Sequence, residues 1–167
     1  QRSGKPYGHV MSEDSRHDMS STRSYRIILD HMRAASFMLA AGIVPGNSEQ
    51  PYVLRRLIRR AIREADRLGI KEAVLAEVAE GYGAAYADQY PLVQQNAQFI
   101  RDELAKEEAQ FRKTLAQGMR ELEKMGTDID AFTLFTTYGF PVELTAEIAK
   151  EKGIAIDMTA VADKMKK

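Results

Sequence analysis

Between Tyr52 and Leu68 the chain reads YVLRRLIRRAIREADRL, six arginines and no lysine, although the whole sequence balances 24 Lys+Arg against 24 Asp+Glu. Arginine carries a planar fork of donors that meets a carboxylate or a phosphate at two points, which lysine cannot do. Two uses fit such a run: a grip on a phosphate backbone, or a set of ion pairs to carboxylates elsewhere in the chain. Advancing about 100° per residue puts Leu57, Ile58, Ala61, Ile62, Ala65 and Leu68 within about 80° of Leu54, which makes a buried face. Arg55, Arg56, Arg59, Arg60, Arg63 and Arg67 fall opposite. Like charges at that spacing repel by roughly a few tenths of a kcal/mol each, and within the helix only Glu64 and Asp66 could offset them. On the residues alone, ion pairing to the more acidic later helices is the commoner arrangement. RNA binding is the alternative.

Few other residues offer chemistry. Asn47 stands just before that helix, where Asn is most often a cap or turn residue. Asp30-His31 could be a dyad, but no serine, cysteine or second carboxylate is spaced to complete it, so a structural role is expected. His9, His17 and His31 are too scattered for zinc, and the chain has no cysteine. GxxxxGK[ST], GxGxxG and HExxH are all absent. No catalytic residue is assigned and no metal site is expected.

The elements that must hold these residues are helical. With 44% hydrophobic and 29% charged residues the chain reads as globular. Its apolar runs fall well short of the roughly 20 residues a membrane span needs. Residues 1–21 lack periodicity and are expected to be a linker or flexible loop. Helical spacing starts at Thr22 and stops near Gly42; the arginine helix follows Pro51 and stops at Gly69. KEAVLAEVAEGYGAAYADQY is a third helix, and Pro91 opens a long one near 92–125, about 50 Å at 1.5 Å per residue. Shorter helices start near Asp130, Pro141 and Asp157. No period-two alternation suggests a strand. The expectation is an all-α fold of about six or seven helices, with residues 22–167 as one domain or as two lobes, 22–90 and 91–167. Because the chain starts on Gln1 and stops on Met165-Lys166-Lys167 in mid-pattern, it is expected to be a piece of a longer protein.

Two strings in this order carry a resemblance: SYRIILDHMRAASFMLAAGIVPGNSEQPYVLRRLIRRAIR and LFTTYGFPVELTAEIAKEKGI. Together with Lys106-Glu107-Glu108-Ala109-Gln110-Phe111, which matches KxEExxF with one residue of offset, they resemble the alanyl-tRNA synthetase family from about Ser24 to Ile156. The resemblance implies the helical region between the class II aminoacylation core and the editing domain. That region holds the acceptor stem of alanine tRNA and reads its G·U wobble pair. The partners implied are tRNA and the remaining domains of the synthetase, with no DNA and no membrane, in the cytoplasm. ATP and Mg would belong to the aminoacylation core and Zn to the editing domain, both outside this chain. Carried over by position, Asn47 is the loop Asn that reads the wobble pair, and Arg55, Arg56, Arg59, Arg60 and Arg63 face the tRNA backbone. The family's second base reader is the Asp of YDTYGFP; this chain has Thr136 there, a weaker acceptor without charge. Pro51 stands where the family usually has a glycine or another small residue. A helical protein-interaction module, docking through the Leu92–Met125 helix, is the competing reading.

Overall fold

The structure, a computed structural model, describes residues 15–165, with side chains from Met19 onward. Among the described residues all regular structure is helical: α1 (Ser15–Ala40), α2 (Glu49–Arg67), α3 (Leu75–Ala85), α4 (Pro91–Gln95), α5 (Ala97–Met125), α6 (Ala131–Tyr138), α7 (Val142–Glu151) and α8 (Met158–Met165). The all-α expectation holds, with eight helices instead of six or seven. None of them is long and apolar enough to cross a membrane.

Two boundaries differ from the sequence reading. α1 starts at Ser15, ahead of Thr22, so residues 15–21 of the expected linker are helical; residues 1–14 lie outside the described residues. The polar character of this stretch hid its inward side: Ser21 is buried. The long helix is also interrupted. Asn96 ends α4, and its side-chain Nδ2 donates to the Leu92 carbonyl at 2.9 Å. That bond within the last turn offers the backbone an alternative to continuing the helix, as short polar side chains do.

The chain divides into two compact units, one through Phe111 and one from Arg112, so the division falls inside α5 and not at the loop before Pro91. In the first unit α1 packs on α2, α3 and α4. The apolar face read for α2 is its buried face: Leu54, Ile58, Ala61, Ile62 and Ala65 are fully enclosed, as are Met32 and Leu39 of α1. In the second unit α6 packs on α7 and α8, where Ala131, Val142 and Val161 form a small core closed by Ile156. Asp130 and Asp157 cap α6 and α8 by accepting from the amides of Phe132 and Thr133, and of Thr159 and Ala160. These bonds satisfy donors that the first turn of a helix leaves open.

Candidate nucleic-acid interface

The loop between α1 and α2 closes on itself. Gly46 N–H donates to the Pro51 carbonyl at 3.0 Å. A Cβ on Gly46 would sit 2.5 Å from the Pro51 ring, so only glycine permits this approach. Pro51, in the first turn of α2, has no amide hydrogen to leave unbonded there. Held in this turn, Asn47 is exposed at the N-terminal end of α2. Its Oδ1 accepts a hydrogen bond from Arg55 Nη1, while Arg55 Nη2 donates to the Pro45 carbonyl at 3.2 Å. Ser48, the N-cap residue of α2, makes no side-chain cap bond.

The arginine face of α2 is not uniform. Arg59 donates from Nε to Glu107 at 2.8 Å and lays its guanidinium over the Phe111 ring, 4.9 Å from the centroid. Arg55 Nε lies 3.6 Å from the same carboxylate oxygen. Arg63 is buried, with Nη1 4.0 Å from Asp66. Arg67 approaches the enclosed carboxylate of Glu64 at 3.6 Å, whose other oxygen accepts the Ser24 hydroxyl at 2.6 Å. Arg56 and Arg60 are exposed, Arg56 over the Tyr52 ring at 5.7 Å. Buried and exposed arginines therefore coexist on one helix.

The KxEExxF string supplies the inward partners. Glu107 serves the arginines of α2. Glu108, only 1% exposed, accepts from the backbone amides of Val74 and Leu75 at 3.3 and 3.1 Å. Its carboxylate therefore caps α3, whose own N-cap residue Val74 has no acceptor to offer. Phe111 is enclosed and receives Arg59. Residue reasoning assigned these two glutamates no role, because their partners are distant in sequence. A paired acidic dipeptide inside an apolar helical repeat was the signal available.

His31, half-buried on α1, titrates below its ordinary 6.5: burial disfavours the cation, the positive charge of Arg60 adds to this, and Asp30 and Glu64 oppose it. Asp30 is exposed and pairs with Arg33 at 3.6 Å.

The second unit holds Thr136. It is exposed near the end of α6, and its hydroxyl donates to the Phe132 carbonyl at 2.9 Å, which leaves only acceptor lone pairs for a ligand. The following Gly139-Phe140 ends the helix: Gly139 N–H bonds Phe135 and Phe140 N–H bonds Leu134. Phe140 is enclosed against Gly118 of α5, where any Cβ would overlap its ring. Sequence reasoning did not single out Gly118. Asn47 thus belongs to the first unit and Thr136 to the second.

Comparison with known sequences agrees with the strings. A family profile described as tRNA synthetases class II (A) matches residues 2–167. The alanine–tRNA ligase of Psychrobacter sp. (strain PRwf-1) is 42% identical over 151 residues, covering 85% of this chain and 17% of that protein. The alanine–tRNA ligase of Borreliella afzelii (strain PKo) is 42% identical over 175 residues, covering 99% of the chain and 28% of its own length. That of Dehalococcoides mccartyi is 37% identical over 166 residues, covering 95% and 18%. The chain therefore spans less than a third of the length of these relatives.

Proposed function

The chain belongs to the class II alanyl-tRNA synthetase family, and from that premise we propose that it binds the acceptor stem of alanine tRNA and reads its G·U wobble pair. A-form RNA presents its base edges in a wide, shallow minor groove, which a short loop can enter while a helix meets the backbone. The observation that supports this best is the exposed Asn47 at the end of α2, one face of which carries the exposed Arg56 and Arg60. Phosphate contacts position a stem without reading it, and base contacts specify it.

In this division of work Asn47 reads the pair. Thr136, whose hydroxyl hydrogen is engaged by Phe132, accepts from a base amino group where an acid would accept more strongly. Of the arginines Arg55, Arg56, Arg59, Arg60 and Arg63, the outward Arg56 and Arg60 meet phosphate directly. The others hold the surface in shape through the loop, Glu107 and Asp66. The contribution to aminoacylation is orientation of the tRNA end, not a reacting group.

ATP and Mg serve the aminoacylation reaction of the whole enzyme in a separate core, and Zn its editing domain. Among the described residues no cluster of three or more His, Cys, Asp or Glu could hold a metal ion. The buried carboxylates Glu64, Glu107 and Glu108 already serve Ser24, Arg59 and the α3 amides.

The test is binding of this chain to acceptor-stem hairpins carrying either G·U or G–C at the marker position. Native chain favouring G·U by about 1 kcal/mol or more, with Asn47→Ala abolishing the preference, supports the proposal. Equal binding to both hairpins removes the base reading and leaves a backbone clamp. Absence of binding favours a helical protein-interaction module.

A further inference from the structure

Arg55 sits on the arginine face of α2, yet its nitrogens face the protein. Nη1 bonds the Asn47 side-chain oxygen, Nη2 bonds the Pro45 carbonyl at 3.2 Å, and Nε lies buried 3.6 Å from Glu107 without a hydrogen bond of its own. A guanidinium has donors only, so the Asn47 carboxamide must turn its oxygen inward to meet it. The other end of the carboxamide, Nδ2 with its two hydrogens, is then the end left to solvent on an exposed residue. Two anchor points matter here. One bond to Asn47 would leave the loop free to swing about it, whereas the second, to the Pro45 backbone, ties the loop and the side chain to one planar group.

We infer that Arg55 is a positioning residue for base reading: it locks the Asn47 carboxamide so that Asn47 offers hydrogen-bond donors to the minor groove, where they suit an acceptor such as pyrimidine O2 or purine N3. The inference rests on the proposal that Asn47 reads the G·U pair. It separates Arg55 from Arg56, two residues that look equivalent in the repeated Arg-Arg pairs of α2. An Asn whose oxygen is engaged cannot accept from a guanine amino group.

The experiment has an arm without RNA and an arm with it. In the free chain, 15N relaxation of the Asn47 side-chain amide should show an ordered group that becomes mobile in Arg55→Gln. Equal order in both chains overturns the inference. In the RNA arm, Arg55→Gln should lose about tenfold of the preference for G·U over G–C, like Asn47→Ala, with the salt dependence of binding unchanged. The double variant should discriminate no worse than Asn47→Ala alone, since both changes remove one interaction. Arg55→Lys keeps the charge but cannot bond the loop through a planar fork, so it should show the same loss of preference. Uniform weakening on both hairpins, with the salt slope reduced by about one, would make Arg55 an ordinary phosphate contact and overturn the inference. If the native chain itself shows no preference for G·U, base reading by Asn47 fails, and the link between Arg55 and Asn47 stands or falls on the relaxation measurement.

Discussion

Around Asn47 and α2, the family's signature residues are charged, and nearly every one is held by a polar partner: Arg55 by the loop, Arg59 by Glu107, Arg63 by Asp66. Around Tyr138-Gly139-Phe140-Pro141 in the second unit, the signature does a different job. Gly139 and Phe140 close α6 through backbone bonds, and the Phe140 ring fills the space left by Gly118. The first region builds a surface whose polar groups are aimed, and the second builds a tight helix ending that presents Thr136. Similar density in recognisable residues therefore reflects two kinds of constraint, electrostatic orientation in one unit and close packing in the other.

This contrast can be broken at several points. The largest effect is expected at the packed ending. Phe140→Ala removes an enclosed aromatic ring and should cost about 3–5 kcal/mol in chemical denaturation of the second unit. A negligible change would mean that Phe140 does not organise it. Glu108→Ala leaves the Val74 and Leu75 amides without their buried acceptor and should cost about 1–3 kcal/mol, with hydrogen exchange accelerated at the start of α3. Unchanged exchange there would detach Glu108 from the cap. Thr136→Asp sharpens the comparison from the RNA side: a carboxylate accepts more strongly than a hydroxyl, so the preference for G·U over G–C should rise by about 1 kcal/mol. A fall would place Thr136 away from the base pair. The smallest effect is that of His31. Its folded pKa lies below 6.5, so the unfolded chain binds the proton more readily. The stability tied to neutral His31 is full above pH 6.5 and is lost as pH falls toward the lower folded value. Thermal melts of native chain and His31→Gln should diverge only on that acid side; parallel curves across the range would exclude the coupling.

Much of this was readable from the residues because it follows local rules. The buried face of α2 came from spacing alone, and Asp130 and Asp157 stand where a helix start needs an acceptor. What escaped depends on partners far along the chain. Gly118 reads as a mild helix weakener until Phe140 is found against it. Glu107 and Glu108 look alike in sequence, yet one meets arginine side chains and the other two backbone amides. The helical wheel treated the arginines as one face because it contains no loop and no α5. The early part of α1 was missed for a related reason: Ser21 is polar but buried. The break at Asn96 carries neither glycine nor proline, only a side-chain bond that propensity does not register.

The central claim is that one helix face is divided between arginines that hold the fold and arginines that hold RNA. The direct test compares Arg56→Gln with Arg59→Gln in salt-dependent binding to the G·U hairpin, with thermal melts of the same two variants. Arg56→Gln should reduce the salt slope by about one and leave the melt unchanged. Arg59→Gln should lower the melting temperature, because Glu107 loses its partner, and leave the slope intact. A slope that falls equally in both variants, or in Arg59→Gln alone, would contradict the division.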